Sequence, residues 1–501
     1  MQRVGIADLG SNTARLVVFE YEPGSWFQMI DSVREPVRLG EGLARDGRLA
    51  PEAIQRALAA VELFEDYASA VGLDDLEILA TSAVRDAANS AEVLEPIRRA
   101  GYSVRVLPGE EEAELGVLAI ANSFAVRDGW VMDLGGGSAQ VSQMVDRGYS
   151  GGRAYPLGAV RLTERFLAGD PPSRDSIEAL EAQVARELGP VAGRISDSAL
   201  PMLAMGGTAR SLAKIAQRSV GYGLPVLHGF QLTRVVLEEI VEVLASQTLE
   251  ERSETAGLRP DRADIILAGA LVYRWVLRHS GLEAIIISGH GVREGALYRH
   301  VMPHPHLLEE VRSFSVRNLA RRHPQPSLHV RQVERLATCL FDGLAPLHGL
   351  GAPERDLLAV AAELHDVGVS LDYYRHEKHG EYILTSSALP GFDHRELALI
   401  SLLVRYHRKG TPRARGYSDV LNDEDLVTLG YLTACLRTAE SLERARAGRV
   451  KDVCVEVEER AIRLTVVAEE EPTVELWEAG RHESLFEEVF GRALIVEARV
   501  L

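Results

Sequence analysis

The chain has 501 residues, 46% hydrophobic and 26% charged, the make-up of an ordinary globular protein too long for one core. About three or four domains are expected. A formal net charge of -18 argues against a general binder of nucleic acid or of anionic membrane, so a polyanionic ligand would need a local basic channel.

Two runs could line such a channel: Arg312, Arg317, Arg321 and Arg322, and Arg405, Arg408, Lys409, Arg413 and Arg415. Taken singly, each reads as a solvated face. Cys339, Cys435 and Cys454 lack paired spacing, which excludes a disulfide framework and a zinc ribbon. MQRVGIADLG already reads as a strand with no room for a signal peptide, and no apolar run approaches a membrane span. A cytoplasmic protein is the expectation.

The first element is Val4-Gly-Ile-Ala-Asp8-Leu-Gly10-Ser11-Asn12-Thr13-Ala14, followed by the strand-like RLVVFEYE. It is written again at Trp130-Val-Met-Asp133-Leu-Gly135-Gly136-Gly137-Ser138-Ala139, followed by QVSQMV. Asp8 falls on Asp133, Gly10 on Gly135 and Thr13 on Ser138. Each copy predicts a buried strand, a tight Asp-Leu-Gly turn and a second strand. Small residues in such a turn let consecutive N–H groups face one phosphate, and the aspartate before it suits magnesium. For one copy alone a plain glycine hairpin is the favoured reading; two matching copies in register favour a shared anion site.

Between the copies, strand LEILA leads to Ala80-Thr81-Ser82-Ala83-Val84-Arg85. Strand VRVL then leads through Pro108-Gly109 into a helix opening on Glu110-Glu111-Glu112-Ala113-Glu114. Acidic residues in a first turn complement the helix dipole, which accounts for Glu110 and Glu114. A carboxylate beside a phosphate nest also serves as a general base for water. After the second copy, Pro201-MLAM reaches Gly206-Gly207-Thr208 and a helix, and AIIIS reaches Gly289-His290-Gly291 and VREGALYR. Glycine turns at helix N-termini suit anions but are weak signals singly.

DLGSNT, ATSAVR, GEEEAEL, MDLGGGS, AMGGT and SGHGVREG, in this order, resemble the exopolyphosphatase and guanosine pentaphosphate phosphohydrolase family. The resemblance implies an α/β fold of two actin-like, ribonuclease-H-like domains flanking a cleft, at 1–124 and 125–304. It implies an Mg2+-dependent hydrolase in which Glu112 is catalytic and Asp133, with Asp8, holds the metal. Glu111 is left as either a second base or a residue of the metal's outer shell. Substrate would meet Gly10, Ser11 and Asn12, Thr81, Gly135, Gly136, Gly137 and Ser138, and Gly206, Gly207 and Thr208, with Arg85 neutralising phosphate. A homodimer is expected from the family alone.

From about residue 311 the pattern turns helical, with apolar spacing over Leu319–Gly349, Pro353–His365 and His394–Tyr406. His329, His365, Asp366, His379, His407 and Glu440 resemble in order the HD phosphohydrolase superfamily, implying an all-α HD-like domain at 311–447 and a candidate second metal site. Glu440 stands where an aspartate is usual, so a helical domain kept for shape is the preferred reading. VCVEVEE, AIRLTVVA, ESLFEEVFG and RALIVEARV predict a small α+β module at 448–501.

The leading reading is hydrolysis of the terminal phosphate of inorganic polyphosphate; guanosine pentaphosphate is the alternative, because the same loops serve either anhydride. An actin-fold kinase is the rival enzyme class, opposed by the carboxylate-rich helix start and the HD-like half. The other rivals are a second hydrolase at His365-Asp366 and a non-catalytic polyphosphate or alarmone sensor.

Overall fold

The computed structural model describes residues 1–501. Its first sheet contains β1 (Gln2–Leu9), β2 (Ala14–Glu22), β3 (Trp26–Glu35), β4 (Asp75–Ala80) and β5 (Val104–Val106) in the order β3-β2-β1-β4-β5. The short Gly10–Thr13 link forces β2 antiparallel to β1, whereas the long helix α1 (Pro51–Val71) carries the chain back so that β4 runs parallel. Val4, Ile6, Ala7 and Leu9 of β1 are all buried, as a strand covered on both faces requires.

The second sheet contains β6 (Gly129–Leu134), β7 (Ala139–Val145), β8 (Gly148–Tyr155), β9 (Met202–Met205), β10 (Gln231–Thr233) and β11 (Ala284–Ile287), ordered β10-β11-β9-β6-β7-β8. Apart from edge strand β10, the order 8-7-6-9-11 reproduces 3-2-1-4-5. The repeat read in the sequence is therefore a repeat of topology, the duplicated ribonuclease-H-like plan of actin-like proteins.

Helix α2 (Gly109–Ala121) serves both sheets. Its Leu115 packs with Val4, Ile6 and Val17, while Val117, Ile120 and Ala121 pack with Val131, Leu203 and Met205. Helix α3 (Gly206–Val220) follows β9, and α4 (Val292–Val301) follows β11. The α4 side chains Ala296, Leu297 and Val301 pack against the first sheet, not the second. Gly295 permits this, because a Cβ there would lie 2.0 Å from the Leu115 carbonyl oxygen. The span expected as the second domain, 125–304, thus lends its last helix to the first sheet.

Two compact units divide the chain: Met1–Gly221 with Leu227–Val311, and Tyr222–Val226 with Arg312–Leu501. In the second, the helical run expected over Leu319–Gly349 is two helices, Val311–Arg322 and α5 (Ser327–His348). Pro324 and Pro326 stand in the break, where each removes a backbone N–H the helix would need. Helices α6 (Ala352–Leu364), α7 (His376–Ser387), α8 (His394–Tyr406) and α9 (Asp423–Leu442) follow. Every residue of α9 from Leu432 to Leu442 is buried, which makes it the axis of this unit. The final sheet, β12 (Val450–Val457), β13 (Ala461–Ala468) and β14 (Ala493–Val500), has the order β12-β13-β14. Ile462, Leu464 and Phe486 of this module share one hydrophobic core with Leu432 and Leu436 of α9.

Candidate active site

The two Asp-Leu-Gly turns close in the same way. Gly10 N–H donates to the Thr13 carbonyl at 3.2 Å, and Gly135 N–H donates to the Ser138 carbonyl at 3.0 Å. The turns also touch each other. A Cβ on Gly136 would lie 2.9 Å from the Ser11 Cβ, and one on Gly137 would lie 2.6 Å from the Ser82 hydroxyl. Ser11 and Ser82 hydroxyls are themselves 3.1 Å apart. Only hydrogen at those two positions lets the hairpins approach so closely. The backbone N–H groups of Ser11, Asn12 and Gly136 are given to no acceptor of the chain, as a phosphate cradle requires.

Asp8 ends β1 opposite Arg15, and Asp133 ends β6 opposite Gln140. Both open onto one cavity of about 610 Å³, which Gly10–Thr13, Thr81, Glu112, Gly135, Gly136, Ser138, Gly206 and Gly207 also line. Gly206 has φ +92°, and a Cβ there would lie 2.5 Å from Asp133 Oδ1. This glycine turn places the N-terminus of α3 beside that carboxylate.

Burial pushes the Glu112 carboxyl up to about 7, against the pull of the Arg85 guanidinium and with the help of nearby Asp133 and Asp8. Burial likewise raises Asp133 to about 6, although Arg210 opposes it. Asp8 is also raised, burial outweighing Arg293, whose Nη1 lies 3.7 Å from Asp8 Oδ2. Three carboxylates that disfavour their charged forms in one cleft are a site poised for a cation or a proton. Asp8 Oδ1 is buried without a hydrogen-bond partner. That orphaned hard oxygen, next to Asp133, fits a divalent cation.

Most of the residues singled out in the sequence meet here, with corrections. Glu111 does not line the cavity: it bonds Arg105 and, at 2.8 Å, Arg299. One residue along a helix turns a side chain by about 100°, so Glu111 and Glu112 cannot face the same place. Arg85 does not face the cavity either. Its Nη1 donates to Glu112 Oε2 and to the Leu107 carbonyl, both at 2.8 Å, so the guanidinium is engaged with the glutamate. Gly137 and Thr208 stand behind the cavity wall, the first against Ser82 and Ser11, the second fully buried with its hydroxyl accepting from Arg262 at 3.4 Å.

The basic lining was missed. Arg15, Arg34, Arg210, Lys214, Arg259, Arg262 and Arg293 all border the cavity. A signal existed for three of them: Arg15, Arg210 and Arg293 each follow a glycine turn by two to five residues. Lys214 lies about a turn beyond Arg210 on α3, and Arg34, Arg259 and Arg262 come from segments without a motif.

In the helical unit the structure gathers His329, His365, Asp366, His407 and Glu440, all buried. The remaining member is His376, not His379. His376 Nε2 lies 3.2 Å from Asp366 Oδ1. His376 opens α7, and Gly368 lets that first turn sit against the Asp366 loop, since a Cβ there would lie 2.0 Å from the His376 carbonyl. His379, almost a turn further on, is carried past the cluster.

Duplicated ribonuclease-H-like sheets, paired glycine turns, a trio of carboxylates on one cavity and a cationic wall define an actin-like phosphoryl-handling protein. Residues 17–304 match the Ppx/GppA phosphatase family and residues 311–475 match Ppx/GppA phosphatase, domain III. The chain belongs to the Ppx/GppA phosphatase family. It is 32% identical over 302 residues to Exopolyphosphatase 1 of Mycobacterium tuberculosis, covering 59% of this chain and 88% of that protein. Exopolyphosphatase 1 of Mycobacterium leprae is equally similar, at 32% over 302 residues, with 89% of it covered. The Aquifex aeolicus Ppx/GppA family member superposes with a TM-score of 0.51 at 26% identity, over 60% of this chain and 97% of that one. An exopolyphosphatase from Cytophaga hutchinsonii shares the fold, with a TM-score of 0.56 at 24% identity, over 60% and 98%.

Proposed function

We propose that this chain is an exopolyphosphatase, releasing the terminal orthophosphate of inorganic polyphosphate with Glu112 as general base. The observation that carries the reading is the Glu112 carboxyl, buried on the lining of the twin-turn cavity and raised to about 7, where a base for water at neutral pH belongs.

The free N–H groups of the two turns cradle the terminal phosphoryl group. Arg210 and Arg293 add positive charge beside Asp133 and Asp8. Glu112 takes the proton from water as its oxygen attacks phosphorus in line, and the anhydride P–O bond breaks. The shortened chain leaves as an anion, its charge met by Lys214, Arg259 and Arg262 on the cavity wall. Asp8 and Asp133 would hold a magnesium ion, which would supply further charge neutralisation for a phosphate. Several cations around one cavity suit a run of phosphates better than a single monoester, which favours polyphosphate.

The test is orthophosphate release, without nucleotide, from polyphosphates of defined length and from guanosine pentaphosphate. Polyphosphate should be turned over, and Glu112→Gln should lower kcat by roughly 10²–10⁴-fold with KM little changed. Near-normal turnover by that variant refutes Glu112 as the base, and preferential turnover of the guanosine nucleotide reassigns the substrate.

A further inference from the structure

The second glycine turn is held from behind by groups outside the cavity. The helix Ala159–Phe166 opens against it: the N–H groups of Ala159 and Val160 donate to the Gly135 and Gly136 carbonyls at 3.0 and 2.9 Å. Gly158 permits the approach, because a Cβ there would overlap the Gly136 carbonyl. The next carbonyl, that of Gly137, is taken by a side chain, Arg161, whose Nε donates to it at 2.9 Å. In a planar trans peptide the C=O and the following N–H point in opposite directions. Drawing the Gly135 and Gly137 carbonyls outward therefore turns the Gly136 and Ser138 N–H groups the other way, and both of those residues line the cavity. The Ser138 N–H, like that of Gly136, is given to no acceptor of the chain.

The same guanidinium reaches towards the base. Arg161 Nη2 donates to Asp86 Oδ2 at 3.0 Å, so one edge of its planar fork spans both the Gly137 carbonyl and this carboxylate and fixes their relative positions. Asp86 ends the short helix Ser82–Asp86, and its Oδ1 lies 3.6 Å from Nε of the neighbouring Arg85. Arg85 Nη1 in turn donates to Glu112 Oε2 at 2.8 Å. Asp86 thus stands between two guanidiniums, and Arg161 is the closer. None of Arg85, Asp86 and Arg161 borders the cavity, so whatever they do to the reaction passes through groups that do. The chain of contacts runs from the phosphate turn of the second sheet to a glutamate beside the first.

We propose, on the reading above that Glu112 is the base, that Arg161 is a positioning residue coupling the phosphate turn to that base, through the Gly137 carbonyl on one side and through Asp86 and Arg85 on the other. Its removal changes two things separately. The Gly137 carbonyl loses its donor, so the Ser138 N–H is no longer aimed and the phosphoryl group is held less well from the outset. Asp86 loses its closer partner and draws Arg85 off Glu112, which leaves the base without the guanidinium that orients it. The first effect falls on KM and the second on kcat. Only the second needs a charge at Asp86.

The experiment measures kcat and KM at pH 7 for orthophosphate release from polyphosphate by the full chain, as wild type, Arg161→Met, Arg161→Met/Asp86→Asn and Glu112→Gln, with far-UV circular dichroism to check folding. Arg161→Met should raise KM about five- to fiftyfold and lower kcat about three- to tenfold, the scale of one charge-assisted hydrogen bond lost at each end. Adding Asp86→Asn should bring kcat back to within about twofold of wild type while KM stays high, whereas a general loosening of the fold would worsen both. An unchanged KM in Arg161→Met overturns the anchoring of the turn. A kcat that Asp86→Asn does not restore overturns the link to the base. Should Arg161→Met fail to fold, Arg161→Lys decides by the same split, because a single ammonium cannot hold both partners along one planar edge. Near-normal turnover by Glu112→Gln refutes the base itself, and an inactive Glu112→Gln beside an unaltered Arg161→Met refutes the role of Arg161 alone.

Discussion

Replacing Arg85 by methionine separates a residue that tunes the base from one that binds substrate. Arg85 is bonded to Glu112 at 2.8 Å, and both side chains are largely sheltered from solvent. A charge-assisted hydrogen bond of this kind contributes about 1.5–3 kcal/mol. It favours the ionised carboxylate, so its loss should raise the Glu112 pKa, already about 7, by roughly one to two pH units at about 1.4 kcal/mol per unit. At pH 7 the ionised fraction would drop from about half to a few per cent, lowering kcat roughly five- to fiftyfold; at pH 9.5 most of the rate would return. The assay is kcat for orthophosphate release between pH 5.5 and 9.5 for wild type, Arg85→Met and Arg85→Lys, the lysine variant falling between the other two. A loss of constant size at every pH, with the acid limb unmoved, would refute the reasoning and return Arg85 to a direct role on phosphate.

Asp133→Asn should raise the melting temperature at pH 7.5 in chelator. The folded-state value of about 6 stands above the ordinary 3.8, so the stability of the protonated form is present below pH 3.8 and lost as pH rises through 6. The charged aspartate then costs up to about 3 kcal/mol at neutral pH. Magnesium should raise the wild-type melting temperature and leave the variant's unchanged, read by scanning calorimetry. Gly206→Ala should cost about 1–3 kcal/mol and most of the turnover, since it puts a Cβ at positive φ against Asp133; unchanged kcat and melting temperature would refute the close approach. Glu111→Gln should leave kcat within about twofold while lowering stability by about 1 kcal/mol through its half-exposed pairs with Arg105 and Arg299, a contrast with Glu112→Gln that a side-by-side assay reads directly.

Local chemistry is what the linear chain determined here. Glycine, serine and aspartate in DLGSNT and LGGGS restrict the backbone of a few neighbouring residues, so both hairpins, their duplication and the phosphate nest could be read before any tertiary contact was known. The same holds for GEEEAEL as a helix start and for the break at HPQP, which the proline chemistry announces even though periodicity alone ran through it. The choice between Glu111 and Glu112 was different. Both satisfy the same local pattern, and only the packing of α2 between the two sheets decides which one turns to the cavity. Packing likewise gave Arg85 to Glu112, put His376 in the place expected for His379, and drew Arg34, Arg259 and Arg262 to one wall from distant segments. A turn's geometry is encoded over four residues by steric exclusion, whereas the direction a side chain faces depends on helix phase and on contacts hundreds of residues away, and those exist only once the chain has folded.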